Sequence, residues 1–411
     1  MTHIYLFSPI PYSFLHQRPQ KLADQFAERG IPVTFIEPCG LSEYLGGRKK
    51  GLVGLVLYSL VFQALGVLAL LVPGLSGVPR RKQGSPAAPR GMRIVPMPIV
   101  YPSNRVDWPL LEALNASVFR QALRFRVLGA MREGEHSVAL VENPFWGAVL
   151  REGDFDRIAY DCLDELTLFS GRASAGRFAG YEHRLLKLAS ATFVTAEALE
   201  RRLRTMLDAG PAPVRVPNGV DFDWFQSRGA AAPDDLADVH HPVAGYVGVL
   251  RDWFDYDLVG RLARGMPDIM FIVVGPLDFD FRNAHLRSQP NLRWLGRREY
   301  ADMPRYIGAF DVCLIPFVEG KVTETTNPVK VFEYFAMGKP VVSTPMHELI
   351  PFAQEGYVRL ARGESEFADA LRASLSEQDD RLAAGRREIA RTHSWRSLTG
   401  TMLTTLGEEL K

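Results

Sequence analysis

Residues Thr326–Thr344 read TNPVKVFEYFAMGKPVVST. Polar and turn-forming residues open the stretch, a helical run follows, and Gly338 stops it before a short β-branched strand. Thr325, Thr326 and Asn327 are cap-type residues, and Pro328 suits the first helical position. The helix is mostly apolar and belongs in a core, yet Lys330 in its first turn and Glu333 one turn on share a face. A cation there opposes the positive end of the helix dipole unless an anion meets it. A diphosphate at the helix mouth, with a ribose beside it, would satisfy both side chains. Taken alone, the two residues also read as a solvated pair on a surface helix.

Working outward, the run DVCLIPF before this stretch and PVVST at its end are buried strands, and PVAGYVGVL, DIMFIVVGP and NLRWLG precede them with helices between. In YVGVLRDWFDYDLV, Tyr246–Val259, Gly248 lets backbone approach a phosphate closely and Arg251 can add a charge-assisted contact. The first half repeats the pattern. HIYLFSP is a strand, RPQKLADQFAERG a helix with Leu22, Ala23 and Phe26 at helical spacing, and IPVTFIEP a second strand. MRIVPMP, SVALVENP, RIAYDCLDE and ATFVTAE extend the series, with helices near 109–132 and 181–189. The fold class is therefore α/β, with two Rossmann-like domains facing a cleft. The expected boundaries are 1–216, a linker at 217–241, a second domain at 242–393 and a terminal helix at 394–411.

One segment departs from this pattern. Residues 51–73, GLVGLVLYSLVFQALGVLALLVP, carry no charge and are flanked by Arg48-Lys49-Lys50 and Arg80-Arg81-Lys82. Length and apolarity alone qualify it as a membrane span. It falls between the second and third strands of one sheet, however, and a single crossing would put those strands on opposite sides of the bilayer. The expectation is an insertion at about 48–82 that lies on or dips into the leaflet, its basic flanks on anionic headgroups. The competing reading is a buried core helix.

Bulk properties narrow the function classes. A net charge of +1 advertises no nucleic-acid partner. Cys39, Cys162 and Cys313 form no CxxC pair, which argues against zinc and a disulfide framework and fits a reducing cytosol. MTHIYLFSPIPYS lacks the layout of a signal peptide. No GxGxxG follows either opening strand, which counts against an NAD-dependent dehydrogenase.

The acids of AYDCLDELTLF, Ala159–Phe169, gather at a strand end. Chemistry that activates a hydroxyl needs a general base, and Asp161, Asp164 and Glu165 are candidates, their mutual charge expected to raise a carboxyl toward neutrality. They also read as caps of the next helix. His16 and Arg18 follow the first strand and could meet an acceptor or its phosphate; Glu142 and Asn143 end another strand of the same half.

The Thr325–Thr344 segment resembles the donor-binding segment of GT-B glycosyltransferases, the classes that use nucleotide-activated sugars. Glu333 matches the second glutamate of their Glu-x7-Glu pattern, which binds the ribose, whereas Thr325 stands at the first. The NPVK form resembles a subgroup that includes the membrane-associated glucuronosyltransferase of xanthan synthesis, in which the matching lysine holds the diphosphate and a Tyr-x-x-x-Asp aspartate is the base. Tyr160 and Asp164 match that spacing. The resemblance implies a transferase that takes a nucleotide-sugar, UDP-sugar foremost, and a lipid-linked or saccharide acceptor at a membrane surface. It implies Asp164 as base and donor contacts at Gly248, Arg251, Asn327, Lys330 and Glu333, and it places the nucleotide base by the loop after Leu295-Gly296. His16, Arg18, Glu142 and Asp161 fall on the acceptor side, and no metal or other cofactor is expected. The absence of a histidine at Glu142-Asn143 leans toward inversion. A nucleotide-sugar epimerase of the same architecture and a non-catalytic, membrane-tethered subunit of a polysaccharide complex are the alternatives.

Overall fold

Short apolar runs rich in β-branched residues, many of them followed by a helix, build two wholly parallel sheets. The computed structural model of the chain describes residues 1–13, 16–37, 89–97, 109–165, 172–207, 210–228, 231–240, 242–276 and 288–407. The apolar segment at 51–73 and the insertion expected at about 48–82 lie outside them. Among the described residues no helix is long and apolar enough to cross a membrane. The chain divides into two compact units. The first comprises residues 1–194, 199–215 and 401–411, and the second residues 195–198 and 216–400.

In the first unit the strands are β1 Thr2–Phe7, β2 Val33–Glu37, β3 Met92–Pro96, β4 His136–Val141, β5 Arg157–Cys162, β6 Ala191–Val194 and β7 Val214–Arg215. Their order across the sheet is β3-β2-β1-β4-β5-β6-β7, so the winding reverses between β1 and β4. Phe7 registers with Val141, and Val141 with Tyr160, so β1, β4 and β5 finish side by side. The expected helix at 109–132 runs only over Pro109–Arg126, and Leu128–Ala130 tightens into a 3-10 turn. The helix expected at 181–189 starts earlier and spans Arg172–Leu188.

In the second unit β8 Val243–Val247, β9 Met270–Val274, β10 Leu292–Gly296, β11 Val312–Ile315, β12 Val341–Ser343 and β13 Val358–Leu360 lie in the order β10-β9-β8-β11-β12-β13. Reversal here falls between β8 and β11. The core of this unit is a single cluster that includes all five residues of β8 except Gly245, and all of β9. The stretch read as a linker contributes to that core. It forms a helix at Phe222–Gln226 and a 3-10 turn at Asp234–Leu236, which bury Phe225 and Leu236. Gly219 permits the close approach of this stretch to the His393 carbonyl, since a Cβ there would stand 2.5 Å from that oxygen. The terminal helix spans Trp395–Thr405 and straddles the division between the two units.

Candidate functional site

Ligands of open parallel sheets bind beyond the carboxyl ends of the strands, where the winding reverses. In the second unit three glycines floor that place. Gly248 follows β8, Gly275 follows β9 and Gly296 ends β10, all with positive φ (150°, 154° and 69°). The Gly248 amide donates to the Val274 carbonyl at 2.8 Å, and the Gly275 amide to the Gly296 carbonyl at 2.9 Å. A Cβ on Gly275 would lie 1.8 Å from the Gly248 carbonyl oxygen, so only glycine lets these strand ends close up.

The Val329–Ala336 helix begins beside this floor. It buries Val331, Phe332, Glu333, Tyr334, Phe335 and Ala336, and it closes through Gly338, whose amide donates to the Phe335 carbonyl at 2.8 Å. Pro328 is its cap residue and no side chain caps it, so the expected capping by Thr325, Thr326 and Asn327 is not what starts it. Burial of the apolar face, about 1.5–3 kcal/mol for each large side chain, does so instead. The Asn327 amide is turned to another use. Its Oδ1 accepts from the Asn218 amide at 3.0 Å, and its carbonyl accepts from Asn218 Nδ2 at 2.8 Å, fixing the chain's approach to the helix.

Lys330 reaches from the first turn of this helix to Gly248. A Cβ on Gly248 would sit 2.0 Å from Lys330 Cε and 2.5 Å from Nζ. The ammonium stands 5.8 Å from the centroid of the Tyr246 ring. Burial lowers its pKa, and the charge of Glu333 acts in the opposite direction. Among the described residues no carboxylate pairs with it. The site therefore holds a desolvated cation at a helix N-terminus, an arrangement that an incoming anion would relieve.

Glu333 is buried and receives the hydroxyl of Tyr300, whose pKa is raised by burial first and by Glu333 second. The Tyr300 ring stacks on Trp224 with centroids 5.3 Å apart and planes 3° apart. Arg251 is exposed, over the Trp253 ring at 5.7 Å. Thus Gly248, Lys330 and Glu333 come together, and Asn327 serves the helix approach. Among the described residues no group of three or more His, Cys, Asp and Glu side chains is arranged to hold a metal.

In the first unit the acidic strand end separates by the alternation of β5. Asp161 faces the Arg18–Glu28 helix and takes two hydrogen bonds from Arg18, at 2.8 Å from Nε and 2.9 Å from Nη2. Both partners are buried, so Arg18 is not the open contact for an acceptor phosphate expected from sequence. Tyr160 points to the other face, where its hydroxyl donates to Glu182 at 2.7 Å and Arg202 grips the same carboxylate at 2.6 Å. Glu165 lies 4.0 Å from Arg202.

Asp164, just past the strand, is half-buried and forms no ion pair among the described residues. Its carboxyl is raised to about 6 by burial alone. The mutual repulsion expected of the three acids is not the cause, because Asp161 and Glu165 are each turned to an arginine. Glu142 follows β4, its amide donating to the Phe7 carbonyl at 3.1 Å. Asn143 accepts from the Phe145 amide at 3.0 Å. His16 lies 3.6 Å from Asp24 and edge-on to Tyr12.

Residues 242–377 match the family "Glycosyl transferases group 1". A curated relative is TuaH of Bacillus subtilis (strain 168), assigned as a teichuronic acid biosynthesis glycosyltransferase. It is 28% identical over 259 residues, covering 59% of this chain and 65% of the relative. The chain thus spans about two-thirds of the length of the curated relative it matches. Among solved structures, Anabaena HepE in complex with UDP and glucose superposes with a TM-score of 0.60 at 13% identity, over 99% of both chains. WaaG, a glycosyltransferase involved in lipopolysaccharide biosynthesis, superposes with a TM-score of 0.60 at 13% identity, over 98% of both chains. The chain has the GT-B glycosyltransferase fold.

The residues that match this family model include Gly248, Lys330 and Glu333, together with the Gly275 and Gly296 floor. Sequence reasoning missed Trp224 and Tyr300. They lie in what was read as a linker and in a polar run after β10, and only their stacking in the fold draws them to Glu333. The signal in sequence was an aromatic run, Phe222, Trp224 and Phe225, and a lone Tyr300 in a polar run.

Proposed function

We propose that this protein transfers a sugar from a nucleotide diphosphate, a UDP-sugar foremost, to a saccharide or lipid-linked acceptor in the synthesis of an envelope or exported polysaccharide. The observation that carries the reading is the Lys330 ammonium, desolvated at a helix N-terminus and pressed against Gly248 at the reversal point of its sheet. A diphosphate supplies the charge this arrangement lacks. The nearby Glu333 suits a ribose diol, and Arg251, exposed over the Trp253 ring, suits a phosphate arm. UDP in the HepE structure and the pathway of TuaH support the donor and the product class.

The reaction proposed is inverting and uses no bound metal. The acceptor hydroxyl oxygen attacks the anomeric carbon as the bond from that carbon to the diphosphate breaks. Asp164 takes the hydroxyl proton, and Lys330 with the helix N-terminus stabilises the departing diphosphate. A carboxyl raised to about 6 is still ionised at neutral pH and accepts a proton more readily than an ordinary aspartate. The proposed location is the inner face of the cytoplasmic membrane, held there by the segment at 51–73; its deletion should release the protein from membranes.

Calorimetry and thermal-shift measurements against UDP-, GDP- and dTDP-sugars test the donor half. Wild type should be stabilised by one nucleotide class, and Lys330→Ala should lose turnover and bind UDP at least tenfold more weakly, as removal of one charge-assisted contact requires. Equal UDP affinity in the variant would remove the diphosphate role.

A further inference from the structure

Glu142 is the outlying polar group of the first unit. It is only 3% exposed, and among the described residues neither carboxyl oxygen has a hydrogen-bond partner. Leaving a buried carboxyl unmatched costs about 1–3 kcal/mol or more, and so large an expense in a well-packed sheet end calls for a use. Its place is the reversal point of the first sheet, immediately after β4 and bonded through its amide to the end of β1. The groups that face it electrostatically are Asp161 and Arg18. Those two satisfy one another through the paired hydrogen bonds at 2.8 and 2.9 Å, with Asp161 fully buried and Arg18 4% exposed.

We infer that Glu142 forms a subsite for the uncharged, hydroxyl-bearing part of the acceptor, with the Arg18–Asp161 pair as its fixed wall. This inference rests on the glycosyl-transfer reading and specifies which part of the acceptor the first unit recognises. Phosphate is excluded by the local charge. Arg18 is spent on Asp161, so a second carboxyl leaves no net positive charge to attract an anion. Burial first, and the Asp161 charge second, push the Glu142 carboxyl well above the usual range, with Arg18 opposing. A protonated carboxyl offers one O–H donor and one carbonyl acceptor, which together match the donor–acceptor pair of a sugar diol.

The sign of the accompanying pH effect follows. An unfolded glutamate ionises near pH 4.3, while the folded one holds its proton to higher pH. Glu142 therefore stabilises the fold in acid, and that contribution is lost as pH rises toward its folded pKa. Glu142→Gln, which cannot ionise, removes this loss.

The test uses the intact chain, with octyl β-D-glucoside below its micelle concentration and glucose 1-phosphate as probes. Infrared difference spectra of wild type against Glu142→Gln isolate the protonated-carboxyl band. The band should shift with the glucoside and stay put with glucose 1-phosphate. With the glucoside as acceptor, Glu142→Met should raise its KM about tenfold, the value of one hydrogen bond, while Glu142→Gln, which keeps one donor and one acceptor, should hold it near wild type; both should leave UDP affinity unchanged and raise the melting temperature at pH 8. An immobile band, a band moved by the phosphate ester alone, or an unchanged acceptor KM in Glu142→Met overturns the subsite. A shifted band in a protein that transfers no sugar would sink the glycosyl-transfer reading and leave the subsite standing.

Discussion

Adding one methyl group at Gly248 tests whether the strand end and the lysine act as a unit. The new Cβ would stand 2.0 Å from Lys330 Cε, 2.5 Å from Nζ and 2.8 Å from the Tyr246 hydroxyl. Carbon atoms rest at about 3.5–4 Å, so the lysine tip must withdraw by at least about 1.5 Å. A flexible side chain does so at little cost to the fold. Backbone strain adds about 1–3 kcal/mol, because φ here is 150°. Function suffers more. A displaced ammonium forfeits a charge-assisted contact worth about 1.5–3 kcal/mol, which lowers UDP affinity roughly tenfold to 150-fold. Calorimetry with UDP on Gly248→Ala, Lys330→Met and the double variant forms a closed cycle. The double variant should bind UDP no more weakly than Lys330→Met alone. Full additivity, or wild-type affinity in a folded Gly248→Ala, would refute the coupling. Gly275→Ala provides the contrast, since its Cβ would meet the Gly248 carbonyl oxygen at 1.8 Å, and backbone cannot swing aside. That variant should lose stability rather than affinity alone.

Three further outcomes are expected. Turnover should rise with pH through about 6 as Asp164 ionises, and Asp164→Asn should abolish that rise and most of the activity while binding UDP normally. The same variant should be more stable than wild type above pH 6, since the folded wild type must there ionise a carboxyl that burial disfavours, and the advantage should fade in acid. Breaking the buried pair by Arg18→Ala should cost the first unit about 3–5 kcal/mol in denaturant titration, while an apolar replacement of both partners, Arg18→Met with Asp161→Leu, should recover most of it.

The sheets were legible because parallel strands buried on both faces read as continuous apolar runs, and eleven of the thirteen observed strands lie inside such runs to within one residue. Strand β13, Val358–Leu360, escaped as three residues interrupted by Arg359, and β7, Val214–Arg215, is only two residues long. Lys330 and Glu333 were legible from their spacing. The fate of the acids was not. Asp161 meets an arginine 143 positions away, and Tyr160 meets a glutamate 22 away, pairings that no local pattern encodes. Consequently three neighbouring carboxyl groups looked alike in sequence and separate in the fold into an ion-paired wall, an arginine contact and the half-buried Asp164. The helix cap failed for a related reason, because Asn327 was claimed by Asn218, 109 positions earlier.

The glycine floor of the second unit also bears on how this protein can change. Gly275 joins Gly248 and Gly296 through backbone amides and carbonyls, with no side chain of its own to be tuned. Every single-base missense change in a glycine codon adds a side chain, so at Gly275, where that side chain would meet backbone, no gradual step leads away from the present arrangement. Saturation mutagenesis should show Gly275 as all-or-none. Altered donor preference would then have to arise among the aromatic and charged residues around the rim, where substitutions can be graded.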